Sequence, residues 1–113
     1  MPDDLIAKRS WALFCDRISP LLDGERAEVE VASLGLGEQI AAEWAPLVGI
    51  SYDERDDVFS IAVGGLGHLI RHPQTLAVQW RGPVVESLAV TDRAGRLHIV
   101  RFREPLLLPP PSP

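Results

Sequence analysis

Three histidines, one cysteine and a run of carboxylates are the residues of this chain whose types and spacing suggest chemistry. His68 and His72 lie four apart, a spacing that brings two imidazoles onto one helical face and can hold zinc. A zinc site needs a third ligand, which His98 or the acidic turn would have to supply. Gly67 and Pro73 leave almost no helix to carry the pair, and no HExxH pattern is present. Structural or surface histidines are the expectation, and no metal site is assigned. Asp53, Glu54, Asp56 and Asp57 form the densest charge cluster. Paired carboxylates can bind a hard cation such as calcium or divide acid and base roles. This run lacks the alternating ligands, central glycine and terminal glutamate of an EF-hand loop, so capping of its own turn is expected.

Cys15 falls in an apolar helical stripe, where a thiol behaves as a small hydrophobe rather than a nucleophile. Ser10, Ser60 and Ser87 lack a nucleophile-elbow context. Gly64-Gly65-Leu66-Gly67 follows a strand but precedes no long helix and no Walker lysine; Lys8 is the only lysine in the chain. A tight corner is the expectation there, and no cofactor is expected. Trp44, Tyr52 and Trp80 could line an apolar concavity to which His68 or an arginine adds polarity, which makes Trp44, Tyr52, His68 and Trp80 the candidate ligand-binding residues. No residue is assigned a catalytic role.

The elements that must position these side chains follow from periodicity. Trp11, Phe14, Cys15 and Ile18 fall at i, i+3, i+4 and i+7, which predicts a helix from about Asp4 to Ser19, stopped by Pro20. From Glu25 the period changes to two. Ala27, Val29 and Val31 alternate with charged residues; Ile40 to Trp44 and Val48 to Tyr52 predict two further strands separated by Pro46. Val58 to Val63, Leu76 to Trp80, Val84 to Thr91 and Arg96 to Arg103 complete the set, and Leu66 to Arg71 reads as a single helical turn. Gly95 in the loop from Asp92 is suited to positive φ. In the last strand two alternate sets compete for the interior, His98, Val100 and Phe102 against Leu97 and Ile99.

The fold class expected is mainly β (α+β), with six or seven antiparallel strands in a curled sheet or partial barrel under the N-terminal helix. Residues 1–105 form a single small globular domain and 106–113 a Pro-rich tail, in which Leu106 to Leu108 cover an apolar edge. With 113 residues and 46% hydrophobic content, one modest core is possible and no run spans a bilayer. The lone cysteine and the acidic first residues favour the cytoplasm.

Net charge is −5, which gives no overall drive toward nucleic acid or acidic lipid. The charge is unequally divided: residues 1–57 hold five basic and thirteen acidic side chains, residues 58–113 six basic and three acidic. Arg101 and Arg103 lie in the basic half and are the candidate interaction residues, for a second copy or a protein partner.

The stretch Ala42-Glu43-Trp44-Ala45-Pro46-Leu47-Val48-Gly49-Ile50-Ser51-Tyr52-Asp53-Glu54-Arg55-Asp56-Asp57-Val58-Phe59-Ser60-Ile61, with His68-Leu69-Ile70-Arg71-His72-Pro73 beyond it, resembles the uncharacterised bacterial DUF5335 family. Ser10 to Phe14 and Leu97 to Phe102 extend the resemblance over most of the chain. It implies a bacterial, single-domain protein and carries over no activity, cofactor or catalytic residue. A cytoplasmic protein-interaction or structural module, self-associating, is the leading expectation. A small-molecule-binding module is the alternative, and a hydrolase using neighbouring Asp and His side chains comes last.

Overall fold

One long, bent strand is shared by two antiparallel parts of the molecule and decides where the rest of the chain goes. The computed structural model describes residues 4–35 and 37–107. Its elements are β1 (Asp4–Leu5), a 3-10 turn at Lys8–Ser10, α1 (Trp11–Ile18), a second 3-10 turn at Ser19–Leu22, β2 (Arg26–Ser33), β3 (Gly37–Asp53), β4 (Val58–Val63), β5 (Leu66–Arg71), β6 (Pro73–Arg81), β7 (Val84–Asp92) and β8 (Leu97–Leu107). Neighbours in the sheet are antiparallel, in the order β1-β6-β7-β8-β2-β3-β4-β5.

The mainly β character and the N-terminal helix follow the sequence pattern, but the curled sheet or partial barrel of six or seven strands does not form. Eight strands are present among the described residues, and the sheet is open, with β1 and β5 as edges that do not pair with each other. Asp4 and Leu5, expected to begin the helix, pair instead with Val78 and Ala77 of β6. Leu66 to Arg71, expected as a helical turn, pair along their whole length with β4. The glycines explain that strand. Gly64 and Gly65 sit at φ 59° and 78°, positive at both central residues, which is the two-residue hairpin geometry that matches the twist of the flanking strands. A Cβ on Gly64 would also stand 3.0 Å from the Ala45 Cβ.

The two strands expected on either side of Pro46 are one. The Gly37–Pro46 part of β3 pairs with β2, and the Leu47–Asp53 part pairs with β4. Pro46 falls where one ladder ends and the other has yet to begin, so its missing N–H interrupts neither. Its carbonyl accepts from Gly64 N at 2.9 Å. Trp44, at φ 47°, makes the bend, and Arg26 Nη1 donates to its carbonyl at 3.0 Å.

The helical stripe is buried as its spacing predicts, with Trp11, Phe14, Cys15 and Ile18 all in the core. The helix begins at Trp11 rather than Asp4, because β1 and the 3-10 turn occupy the preceding residues. Trp11 meets Tyr52 and Phe59 edge-on, at 5.0 and 6.3 Å between ring centroids. Phe59, Ile61 and Ile70 from one part of the sheet share this core with Val29, Leu76, Leu88, Val90 and Val100 from the other. Each such side chain contributes roughly 1.5–3 kcal/mol relative to full exposure. In β8 the inward set is His98, Val100 and Phe102; Leu97 and Ile99 lie half-buried on the opposite face. β8 continues through Pro105 to Leu107, with Leu106 buried opposite Val85. Leu108 and the rest of the expected tail lie outside the described residues.

Candidate functional site

The same alternation that builds the core also places a short polar line at its end. Leu88, Val90 and Asp92 point inward from β7, and His98 lies opposite Val90 on β8. On β5, His68 stands between Leu66 and the buried Ile70, opposite Ile61 of β4. These registers bring His68 Nε2 to 3.0 Å from His98 Nδ1, and His98 Nε2 to 2.9 Å from Asp92 Oδ2. The contact joins the β5 edge to β8 through side chains rather than through ladder hydrogen bonds.

The β7–β8 hairpin aims the carboxylate. Gly95, at φ 83°, closes the loop, and Arg96 donates to Asp92 through its backbone N at 3.0 Å and its Nε at 2.9 Å. Asp92 and His98 are only 5% and 4% exposed. Burial by itself would raise the Asp92 carboxyl, but hydrogen bonds from His98 and Arg96 outweigh it and hold the group below its ordinary range. His68 is pushed below its ordinary value, first by burial and then by the neighbouring His98 and Arg96. Its neutral form is therefore the one favoured at neutral pH.

His68 also lines a cavity of about 240 Å³. Val29 of β2 and Ala41 and Ala42 of β3 form one side, with Val63 of β4 and Leu66 and Gly67 of β5 forming the other. His68 is the one titratable side chain among these lining residues. An apolar cavity of roughly 150 Å³ is enough to hold benzene, so the space suits a small organic molecule.

A second polar group surrounds Asp57. Tyr52 donates its hydroxyl to Asp57 Oδ1 at 2.7 Å, Lys8 Nζ reaches the same oxygen at 2.9 Å, and His72 Nδ1 lies 3.5 Å from Oδ2. Lys8 also donates to the Pro73 carbonyl at 2.8 Å and sits 5.3 Å from the Trp11 ring centre. Hydrogen bonds from Tyr52 and Lys8 lower the Asp57 carboxyl. Burial and the same carboxylate push the Tyr52 hydroxyl up to about 12. Asp57 and His72 both adopt left-handed backbone, at φ 55° and 52°, and His72 N donates to the Asp57 carbonyl at 3.0 Å. In the acidic turn Asp53 Oδ1 accepts the backbone N–H of Arg55 and Asp56, the capping expected of it. Among the described residues no three His, Cys, Asp or Glu side chains are grouped to hold a metal ion.

The four candidate ligand residues are therefore dispersed. His68 lines the cavity, Tyr52 lies in an open cleft with Lys8, Arg9 and Glu54, Trp44 makes the β3 bend, and Trp80 sits opposite Val85 near the β6–β7 turn. Of the two candidate interaction residues, Arg101 reaches Glu28 and Glu30 of β2 at 3.0 and 3.2 Å, while Arg103 is exposed. The unequal charges of the two halves thus meet inside one sheet. His68 and His72 go to separate partners, 98 and 57. Cys15 is buried, and its thiol is pushed up to about 12, by burial first and Asp16 second. Ser87 is buried and bonds to Gln79, and Ser60 stands beside Ser51 and Leu69 on the outer face of its segment. Sequence reasoning passed over Asp92 as a site residue. Its signal was present: it continues the inward set Leu88, Val90 with a carboxylate, six residues before an inward histidine.

Fold and site together define a small antiparallel β module with a histidine-lined cavity between two parts of one sheet. The model described as "Family of unknown function (DUF5335)" matches residues 3–111, and the chain belongs to that family. An "Uncharacterized protein" of Aquifex aeolicus (strain VF5) is similar, 33% identical over 110 residues that cover 96% of this chain and 99% of the relative. No solved structure matches. Among the described residues no helix is long and apolar enough to cross a membrane.

Proposed function

We propose that the chain is a small-molecule-binding module whose site is the cavity at His68. The observation that carries this reading is the line Asp92–His98–His68, which runs from two buried side chains to the half-buried His68 and ends on an otherwise apolar space. Buried polar groups are costly unless satisfied, and a pocket of apolar walls with one placed polar group is the usual form of a small-ligand site. Toluene, titrated into isotope-labelled protein, is expected to move the amides of Ala41, Ala42, Val63 and Gly67 together. If all four stay still up to the solubility limit of toluene and with phenol as well, the reading is lost. The lone, buried Cys15 supports a reducing compartment, and the cytoplasm is the location proposed.

A second reading, association of two copies, is favoured by the β5 edge. Among the described residues this six-residue strand has a neighbour on one side only, and Leu66 and Leu69 on it are 69% and 49% exposed. An unpaired edge of this kind is a template for another strand. Sedimentation over a concentration series should then show a monomer–dimer equilibrium that Leu69→Lys weakens; a fixed monomer at about 0.5 mM, a concentration at which even weak edge pairing would register, removes this reading.

A further inference from the structure

Resting on the cavity reading, we propose that the His68 site takes a compact, largely apolar ligand bearing one hydrogen-bond donor, such as a phenol, alcohol or N–H group, which His68 Nδ1 accepts. With His98 neutral, the direction of every hydrogen bond in the line follows from its far end. An ionised carboxylate can only accept, so His98 Nε2–H donates to Asp92 across 2.9 Å. A neutral His98 then has its lone pair on Nδ1, and the 3.0 Å contact requires His68 Nε2–H to donate to it. A neutral His68 protonated on Nε2 keeps a lone pair on Nδ1. Arg96 holds the Asp92 carboxylate through both oxygens, so the tautomer of His68 is set two residues away, by a hairpin that does not line the cavity.

The cavity walls narrow the ligand class further. Val29, Ala41, Ala42, Val63, Leu66 and Gly67 present hydrocarbon and a glycine, so the bulk of the occupant is apolar. A pure hydrocarbon would leave the imidazole lone pair unmatched. A carboxylate or phosphate brings acceptors to an acceptor, and a cation would lie near the Arg96 charge. A neutral molecule with one O–H or N–H matches both the walls and His68. Successive hydrogen bonds in a low-dielectric setting polarise one another, and all donors here point toward Asp92, which makes Nδ1 a better acceptor than an isolated imidazole.

Two measurements on the folded chain test this. Nitrogen-15 shifts of His68 near neutral pH should show the Nε2–H tautomer. Phenol should bind about fivefold more tightly than toluene, the difference one net hydrogen bond supplies. In His68→Phe, which keeps a flat ring but has no acceptor, the two should bind alike. A His68 protonated on Nδ1, or equal affinity of phenol and toluene for the unaltered chain, overturns the inference while leaving the cavity as a binding site. Binding of neither overturns both. The tautomer and the phenol-to-toluene ratio are read on the unaltered chain, so a poorly folding variant does not remove the test.

Discussion

Asp92 and Asp57 each lie beside a histidine, yet their surroundings have little in common. Asp92 and His98 have side chains 2% and 5% exposed, joined at 2.9 Å; Asp57 and His72 are 27% and 52% exposed and 3.5 Å apart. At Asp92 the protein alone satisfies the carboxylate, and the line continues through His98 to a cavity. At Asp57 water competes, and the partners Lys8, Tyr52 and His72 come from segments that the carboxylate ties together. The comparison shows that an Asp–His pair has no fixed meaning. Burial decides whether it orders a tautomer or fastens a surface, because exclusion of water is what makes the direction of a hydrogen bond matter.

The comparison predicts unequal costs. Replacement of Asp92 by Ala leaves the buried His98 and the hairpin amide of Arg96 without their acceptor, and a buried donor left unsatisfied costs about 1–3 kcal/mol. Denaturant titration should show the largest loss here. A smaller loss than at Asp57 would reverse the ranking of the two regions. Asp57→Ala removes the Tyr52 hydrogen bond and the Lys8 ion pair and places a Cβ residue without a polar side chain at φ 55°, for an expected loss of about 2 kcal/mol. Asp57→Gly should lose less, since glycine relieves the left-handed backbone. Lys8→Met should cost only about 0.5 kcal/mol in the same titration, because the pair is partly exposed and screened by salt.

The smallest effect is a slope with pH. His68 has a folded value below its ordinary 6.5, so the unfolded chain binds the proton first. Its contribution to stability is complete above that ordinary value and is lost as pH falls toward the folded one. The two aspartates, lowered from 3.8, act in the same direction further down, with stability present above their ordinary value and lost as pH falls through the folded values. Stability should therefore fall between neutral and mildly acidic pH before any aspartate titrates. His68→Gln should flatten that upper part alone. An unchanged slope in this variant would assign the upper region to another group.

Local periodicity was enough for much of this molecule. The stripe of Trp11, Phe14, Cys15 and Ile18 was legible because a 3.6-residue period survives any tertiary arrangement, and the β7–β8 hairpin because Asp92 to Gly95 carries its own turn chemistry. β5 was not legible as a strand. Glycines at 64, 65 and 67 are compatible with a corner or with a hairpin, and only pairing with β4 chooses between them. β3 was divided at Pro46 for a similar reason: whether a missing N–H matters depends on which neighbour faces it.

The amino-acid order alone thus determined a mainly β chain with one amphipathic helix and the buried stripe of that helix, since these are local properties of spacing and type. The tertiary structure decided that the sheet stays open, that Arg101 meets Glu28 and Glu30, and that His68, thirty residues before His98, shares a line with it and Asp92 beside a cavity. Those contacts join residues from strands far apart in the chain. Their formation depends on register and on the bend at Trp44, and neither leaves a periodic trace in the sequence.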